Sequence, residues 1–480
     1  MKRIIAWIII FSLMGSGIHG QKTCPKDKIL ADFDVLVQEL RLQHQGLYQY
    51  TQQQEVDQTL DSVRQSLGAM DRLEFYQVVR YIIGLTNEGH TQVNLPRMTM
   101  VKVGLARRFL PLGVISCDRA LIVSQNFGEQ VKGLQKGSKL LSVNDRKIGD
   151  ILDDILPLIP TDGFNQTSRY EWVGGINFSL LYTLFYGRCR YYDIAFENYA
   201  DHKVHHVRIP AIRFTGFKSK RAQFPSKSFD FDKFHFEAIN DSIAYLSIPS
   251  FSSGETEFEA FYASQFRQIK ALGINHLILD IQANGGGTEG NENLLFSYLL
   301  DTALQKYRAV SMLPQPFLKD QNNPDYVADQ WRLEDTMAYR GDFTLSSNYF
   351  SDLGYTVPDP DLVYKGKLYT LISGQTFSGG AEFASLLRMS GRSIFIGEET
   401  GGTYEGNVSG YSETVKLPYT NITVDIPTVH FQMNVTPEVR ARGIMPDYTV
   451  PQSWDDYMNN DNAKLRFAVQ LITNGGSDLE

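Results

Sequence analysis

The chain has 480 residues, 46 of them Lys or Arg and 54 Asp or Glu, with 42% hydrophobic and 12% aromatic residues. That apolar content excludes wholesale disorder and supplies cores for about three domains of the usual size. The net charge of −8 argues against a dedicated nucleic-acid binder, which carries a basic face, and three cysteines are too few for a disulfide-built scaffold.

Residues 1–20, MKRIIAWIIIFSLMGSGIHG, begin with Lys2 and Arg3, continue through an apolar run from Ile4 to Met14 and close on small residues. This is the pattern of a cleaved secretory signal, and the run is shorter than the roughly 20 residues a spanning helix needs. Its removal takes away two positive charges and no acidic ones, so −8 becomes −10. The alternative is an uncleaved anchor. No later segment reaches spanning length, so an exported protein without a membrane span, periplasmic or extracellular, is expected. Export permits disulfides. Cys117 and Cys189 are the pair expected to share a domain, either bridged or simply buried.

Residues 21–100 read as a helical domain. Leu30, Phe33, Val37 and Leu40 recur at helical spacing, and Asp71–Leu85 forms a second amphipathic stretch that ends at Thr86-Asn87-Glu88-Gly89-His90-Thr91. Residues 101–212 change to a short-strand texture. There Gly133–Asp145 (GLQKGSKLLSVND) resembles the strand-turn-strand of PDZ domains, with Ser138 and Asp145 replacing the usual Asp and Gly. The resemblance implies either a peptide-binding groove at a sheet edge or a purely structural copy. The segment from Pro157 to Tyr182 reads as an insertion. His202–Lys227 reads as a strand and a solvated basic linker.

Residues 213–451 alternate strands with helices, the signature of an α/β core. Ala244–Ile248 is a strand and Thr256–Leu272 an amphipathic helix stopped by Gly273. His276–Ile281 is a buried, parallel-type strand, followed by the turn Asn284-Gly285-Gly286-Gly287 and a helix from Asn291 to Leu304. Leu368–Ser373 is another such strand, then come a turn and helix over Phe377–Met389 and a strand over Ser393–Gly397. Residues 452–480 read as one helix with a frayed end.

Two strand-to-helix junctions carry chemistry. After His276–Ile281, three successive glycines expose backbone N–H groups. Gly285, Gly287 and Gly290 satisfy GxGxxG, but no acidic ribose partner follows a second strand, which disfavours dinucleotide binding. In LISGQTFSGGAEF, Ser378 sits between a turn and a helix. There it is either a nucleophile, with the Gly379 N–H facing any oxyanion formed on it, or only the helix N-cap. Thr376 rules out the GxSxG elbow of α/β hydrolases.

Leu279–Gly287, Thr376–Phe383 and Ile396–Gly402 together resemble the tail-specific, C-terminal processing serine peptidases, strongly over about 240–450 and loosely back to Asp27. The resemblance implies a crotonase-like, ClpP-like α/β core with an N-terminal helical bundle and a PDZ-like β-rich domain. It implies Ser378 as nucleophile and an oxyanion hole from Gly379 with Gly286 or Gly287. The Ser–Lys branch is excluded, because Thr403 stands at the lysine position and no lysine lies between Ser378 and Lys416. Asn87–Thr91 is similar to the D-G-H-T motif of the tricorn-like and retinoid-binding-protein-like branch, with Glu88 for Asp, which implies His90 as base. The acid that orients it would be Glu438, ahead of Gly443-Ile444-Met445-Pro446-Asp447, with Glu405 as rival.

The expected function is an exported serine endopeptidase that hydrolyses unfolded proteins or peptides through an acyl-enzyme. The alternatives are a non-catalytic peptide- or apolar-ligand-binding protein on the same scaffold, or a PDZ-type interaction module. No cofactor or metal is expected, because there is no CxxC or HExxH, the nine histidines lack ligand spacing, and the local cluster of His202, His205 and His206 is isolated. No nucleic-acid partner is expected either.

Overall fold

The computed structural model describes residues 23–105, 108–128, 133–187, 189–219, 234–252, 254–312, 336–339, 342–345, 354–436 and 439–475. The expected signal at 1–20 and Glu438 lie outside them. No helix among the described residues is long and apolar enough to cross a membrane.

The chain divides into two compact units. The first comprises residues 1–160, 169–228 and 412–427, and the second 161–168, 229–411 and 428–480. In the first unit, three helices, Lys26–Gln43, Gln53–Ser66 and Arg72–Leu85, bury Phe33, Leu36, Leu60, Val79 and Ile82. Asp71 starts the third helix with a capping box. Its carboxylate accepts the N–H groups of Leu73 and Glu74, and Glu74 reaches back to the Asp71 N–H. Against these helices pack Leu417, Ile422, Val424 and Ile426, from the tip of a long hairpin formed by Gly406–Lys416 and Thr423–Met433. Strand Gln92–Asn94 pairs antiparallel with Thr423–Asp425.

The same unit holds an antiparallel sheet in the order Leu112–Cys117, Ala120–Asn126, Lys139–Val143, Tyr191–Glu197, Val204–Pro210. Two of its hairpins turn on residue pairs with positive φ. Asp118 and Arg119 stand at 44° and 63°, and Asn144 and Asp145 at 50° and 63°, the backbone twist that two-residue hairpins require. Helices Ile148–Ile155 and Asn177–Tyr186 cover this sheet through Ile151, Ile155, Phe178 and Tyr182. The segment read as an insertion is thus partly helical.

The second unit is built on a sheet in the order His235–Ala238, Ile243–Ser247, His276–Asp280, Lys367–Ile372, Ser393–Gly397, Tyr448–Thr449. The first pair is antiparallel and the rest parallel. Side chains alternate between its faces. Leu246, Leu277, Leu279 and Phe395 pack toward helices Glu255–Leu272, Asn291–Ser297 and Gly379–Met389. Tyr245, Ile278, Tyr369 and Ile396 pack toward helix Ala463–Thr473. Helices on both faces of a largely parallel sheet make this unit α/β.

All three cysteines are free, so of the two alternatives for Cys117 and Cys189 the bridge is not formed, and the Cys189 Sγ lies 3.5 Å from Asn144 Nδ2. Two expectations are corrected. The tail forms two helices, Trp454–Met458 and Ala463–Thr473. Asn460 takes φ 53° between them and Asn462 caps the second by accepting the Leu465 N–H, so local Asn chemistry outcompetes a continuous helix. The helix from Asn291 stops at Ser297, well short of Leu304.

Asp32, fully buried, accepts the Tyr419 N–H at 2.9 Å on one oxygen and the Thr420 N–H and hydroxyl at 2.7 and 2.6 Å on the other. Asp32→Ala orphans three donors at the hairpin tip. It should lower stability by on the order of 3 kcal/mol in urea unfolding, whereas a surface substitution such as Glu237→Ala should leave the midpoint unchanged.

Candidate active site

Parallel pairing puts Asp280 opposite Leu371, so the chain leaves two adjacent strands at the same edge of the sheet. The turns that follow are stitched together. Thr376 Oγ1 donates to Ile281 O at 2.9 Å, Ser373 Oγ donates to Gln282 O at 2.7 Å, and the Phe377 N–H donates to Asn284 O at 2.9 Å. Buried Asn284 donates through Nδ2 to Ile248 O and accepts the Gly286 N–H at 2.8 Å on Oδ1. Gly380 admits no side chain, because a Cβ there would lie 2.2 Å from Asn284 O.

Ser378 has φ 52° and ψ −131°. A positive φ at a residue with a side chain is a strained conformation, held here by the surrounding bonds. Ser378 occupies the N-cap position of Gly379–Met389, yet its side chain makes no capping bond. The hydroxyl instead faces Gly286, where an added Cβ would meet Ser378 Oγ at 3.2 Å and Gly379 N at 2.7 Å. Among the described residues the N–H groups of Gly379 and Gly287 have no acceptor, whereas that of Gly286 is spent on Asn284. A Cβ placed on Gly379 would lie 3.8 Å from Gly287 N, so the two open donors are neighbours. Of the two glycine options raised by the sequence, Gly287 is the one with a donor to offer.

The third motif walls the site. The Gly401 N–H donates to Thr376 O at 2.9 Å, and a Cβ on Gly402 would stand 3.4 Å from Ser378 N and 3.7 Å from Asp162 Oδ2. Residues 161–168 pack here, with Asn165 Nδ2 donating to Gly401 O at 2.8 Å and Thr167 Oγ1 to Glu399 O at 2.8 Å. Asp162, a fully buried carboxyl beside the serine turn, is a neighbour that the reading of 157–182 as an insertion missed. Thr403 is buried and donates to Gly406 O, so no amine occupies the lysine position. Glu405 accepts the Ala441 N–H at 2.7 Å and pairs with Arg440, which commits it to holding that loop.

In the first unit, the loop after helix Arg72–Leu85 carries His90, whose Nδ1 lies 2.8 Å from Glu88 Oε1. The other Glu88 oxygen accepts the Thr91 N–H and hydroxyl at 2.9 and 2.7 Å. His44 stands behind them. Its Nδ1 accepts the Gly46 N–H at 3.1 Å, which leaves Nε2–H to donate to Thr91 Oγ1 at 3.1 Å, 3.6 Å from Glu88. Burial by itself would raise the Glu88 carboxyl, but hydrogen bonds from His44 and His90 outweigh it and hold the group well below the usual range. An ionised carboxylate only accepts, so His90 carries its proton on Nδ1 and presents the Nε2 lone pair as a base. This contact of Glu88 with His90 was not foreseen, and its only sequence signal was an acid two residues before the histidine. Each unit, taken by itself, brings no three His, Cys, Asp or Glu side chains within metal-ligating reach among the described residues.

Residues 242–450 match the sequence model described as peptidase family S41. No curated protein matches the chain in sequence. Among solved structures it is similar to mature CPAF at 15% identity and a TM-score of 0.61, covering 95% of this chain and 99% of that one. It is similar also to a CPAF mutant at 16% identity and 0.63, covering 94% and 99%. The α/β core of this chain, residues 242–450, is thus similar to peptidase family S41.

Proposed function

We propose that this protein is an exported serine endopeptidase that hydrolyses peptide bonds of unfolded proteins or peptides through an acyl-enzyme on Ser378. The observation that carries the reading is Ser378 itself, held at positive φ, free of a capping role, with two open N–H donors beside it. Export rests on the signal-like pattern of residues 1–20, and the core is read as crotonase-like and ClpP-like. The antiparallel sheet from Leu112 to Pro210 is read as a PDZ-like module that would take up an extended peptide at its edge.

In the reaction, Ser378 Oγ bonds to the scissile carbonyl carbon while its proton passes to His90 Nε2. Glu88 keeps the imidazole in the required tautomer and stabilises its cation. The carbonyl oxygen becomes an oxyanion, for which the Gly379 and Gly287 N–H groups are the donors. The C–N bond breaks as His90 returns the proton to the leaving amine. A water molecule then gives a proton to His90 as its oxygen bonds to the ester carbon, and the bond from that carbon to Ser378 Oγ breaks as His90 returns the proton to Oγ.

A fluorophosphonate probe should label the wild type at Ser378 and leave Ser378→Ala unlabelled. Ser378→Ala and His90→Ala should each lower kcat against an unfolded-peptide panel by on the order of 10⁴-fold or more. Wild-type cleavage by either variant removes that residue from the mechanism. A wild type that binds peptides but neither labels nor cleaves would identify a non-catalytic binder.

Glu88→Gln keeps the shape but can donate to His90 Nδ1 and so favours the wrong tautomer. It should lower kcat by roughly 10²- to 10⁴-fold with KM little changed. Glu405→Gln should retain most activity, since Glu405 is committed to Ala441 and Arg440. The reverse order of effects would return the orienting role to the later acids.

A further inference from the structure

Within the second unit a lysine is sealed among acids. The Lys306 side chain is fully buried, with Nζ 2.5 Å from Glu292 Oε1 and 2.8 Å from Glu382 Oε2, and both carboxylates are nearly as deep. The ammonium also stands over the Tyr307 ring, 4.3 Å from its centroid. Glu382 has no spare oxygen, because the Tyr307 hydroxyl donates to Oε2 at 2.6 Å and Asn407 Nδ2 to Oε1 at 2.7 Å. Burial raises the Glu382 carboxyl, but the Lys306 charge and these donors hold it below its ordinary value, so it remains an anion. Buried ion clusters of this kind contribute little net stability, because desolvation offsets most of their attraction.

The two acids sit at specific points. Glu382 lies one helical turn after Ser378, and its N–H donates to Ser378 O at 2.9 Å. Glu292 is the second residue of helix Asn291–Ser297, which begins where the glycine turn carrying Gly287 ends, and its Oε1 accepts the Gly290 N–H at 3.3 Å. Lys306 itself is held at the start of strand Tyr307–Met312, with its carbonyl accepting the Asn434 N–H at 2.8 Å. One ammonium therefore ties together the two segments that supply the open N–H donors.

We infer that Lys306, acting through Glu292 and Glu382, is a positioning residue that sets the spacing of the Gly379 and Gly287 N–H groups for the oxyanion. The inference rests on the acyl-transfer reading of Ser378. An oxyanion cradle works only if its donors are held within about 0.5 Å of their productive places, and the ion triad adds a second tie between the two segments, beyond the hydrogen bonds that stitch their turns. The lysine also offsets the field of Glu382, whose negative charge near Ser378 would oppose a developing oxyanion. A purely structural cluster would affect stability alone. A positioning cluster affects the tetrahedral state more than the ground state.

The test uses the full chain carrying the neutral triple substitution Glu292→Gln, Lys306→Met and Glu382→Gln, together with the single Glu292→Gln and Lys306→Arg variants. For each, kcat and KM on an unfolded peptide, affinity for a peptide boronic acid that forms a tetrahedral adduct on the serine, and Tm are measured. The triple variant should keep its Tm and KM within twofold while kcat and boronate affinity fall together by roughly 30-fold or more. Lys306→Arg should recover part of that loss. Wild-type kcat and boronate affinity in the folded triple variant overturn the inference. If the triple variant does not fold, Glu292→Gln decides, since it loosens only the glycine-turn side: a drop in kcat at constant KM supports the inference and an unchanged kcat overturns it. A wild type that forms no boronate adduct at Ser378 brings down the acyl-transfer reading and this inference with it. A wild-type adduct with unaffected variants brings down this inference alone.

Discussion

The parallel pairing of His276–Asp280 with Lys367–Ile372 is the constraint from which the core's chemistry follows. Once these strands lie side by side, the turns after them must emerge as neighbours, although 90 or so residues separate them in the chain. Each strand presents apolar side chains to both faces, so a one-residue slip would reverse every one of them and is strongly resisted. The register is thereby fixed by the hydrophobic cores, and register in turn decides which backbone groups meet Ser378. Asn284 converts that register into rigidity by bonding Ile248, Gly286 and Phe377 at once.

The core was largely legible because its signals are local. Buried strands are short apolar runs, Gly273 ends a helix as a left-handed residue should, and the expected strand Ser393–Gly397 is found with those bounds. What escaped were relations between distant segments. Whether the Gly286 or the Gly287 N–H is open depends on where the Asn284 side chain turns, and nothing in three consecutive glycines states it. Asp162 was hidden because residues 161–168 pack in the core unit while their sequence neighbours on both sides belong to the other. Glu88 was noticed as a substitution in a motif, but its position is set by Thr91 and His44, and His44 lies 44 residues upstream. The break in the C-terminal helix was written in Asn459-Asn460-Asp461-Asn462, a cluster that prefers turns and caps, and was overridden by the longer apolar rhythm around it.

Buried charge is distributed in a consistent way. In both units a carboxylate is enclosed and then saturated with donors, Glu88 by His90, Thr91 and His44, Glu382 by Lys306, Tyr307 and Asn407, Asp32 by the hairpin tip. Enclosure without donors would neutralise these groups, and donors without enclosure would leave them mobile. The combination keeps Glu88 and Glu382 charged and all three groups in one place, which suits groups that must orient something else.

The hairpin tip carries a consequence for how the protein is made. Residues 412–427 complete the core of a unit whose other parts lie before residue 229, and Asp32 finds its partners 387 and 388 positions further on. A ribosome that has finished the three helices has therefore not yet supplied Leu417, Ile422, Val424 and Ile426, and the faces these will cover remain bare until most of the chain has emerged. The amino-terminal unit is thus the first to be begun and yet stays open until residue 427 is made, so its apolar helix faces are exposed through most of synthesis.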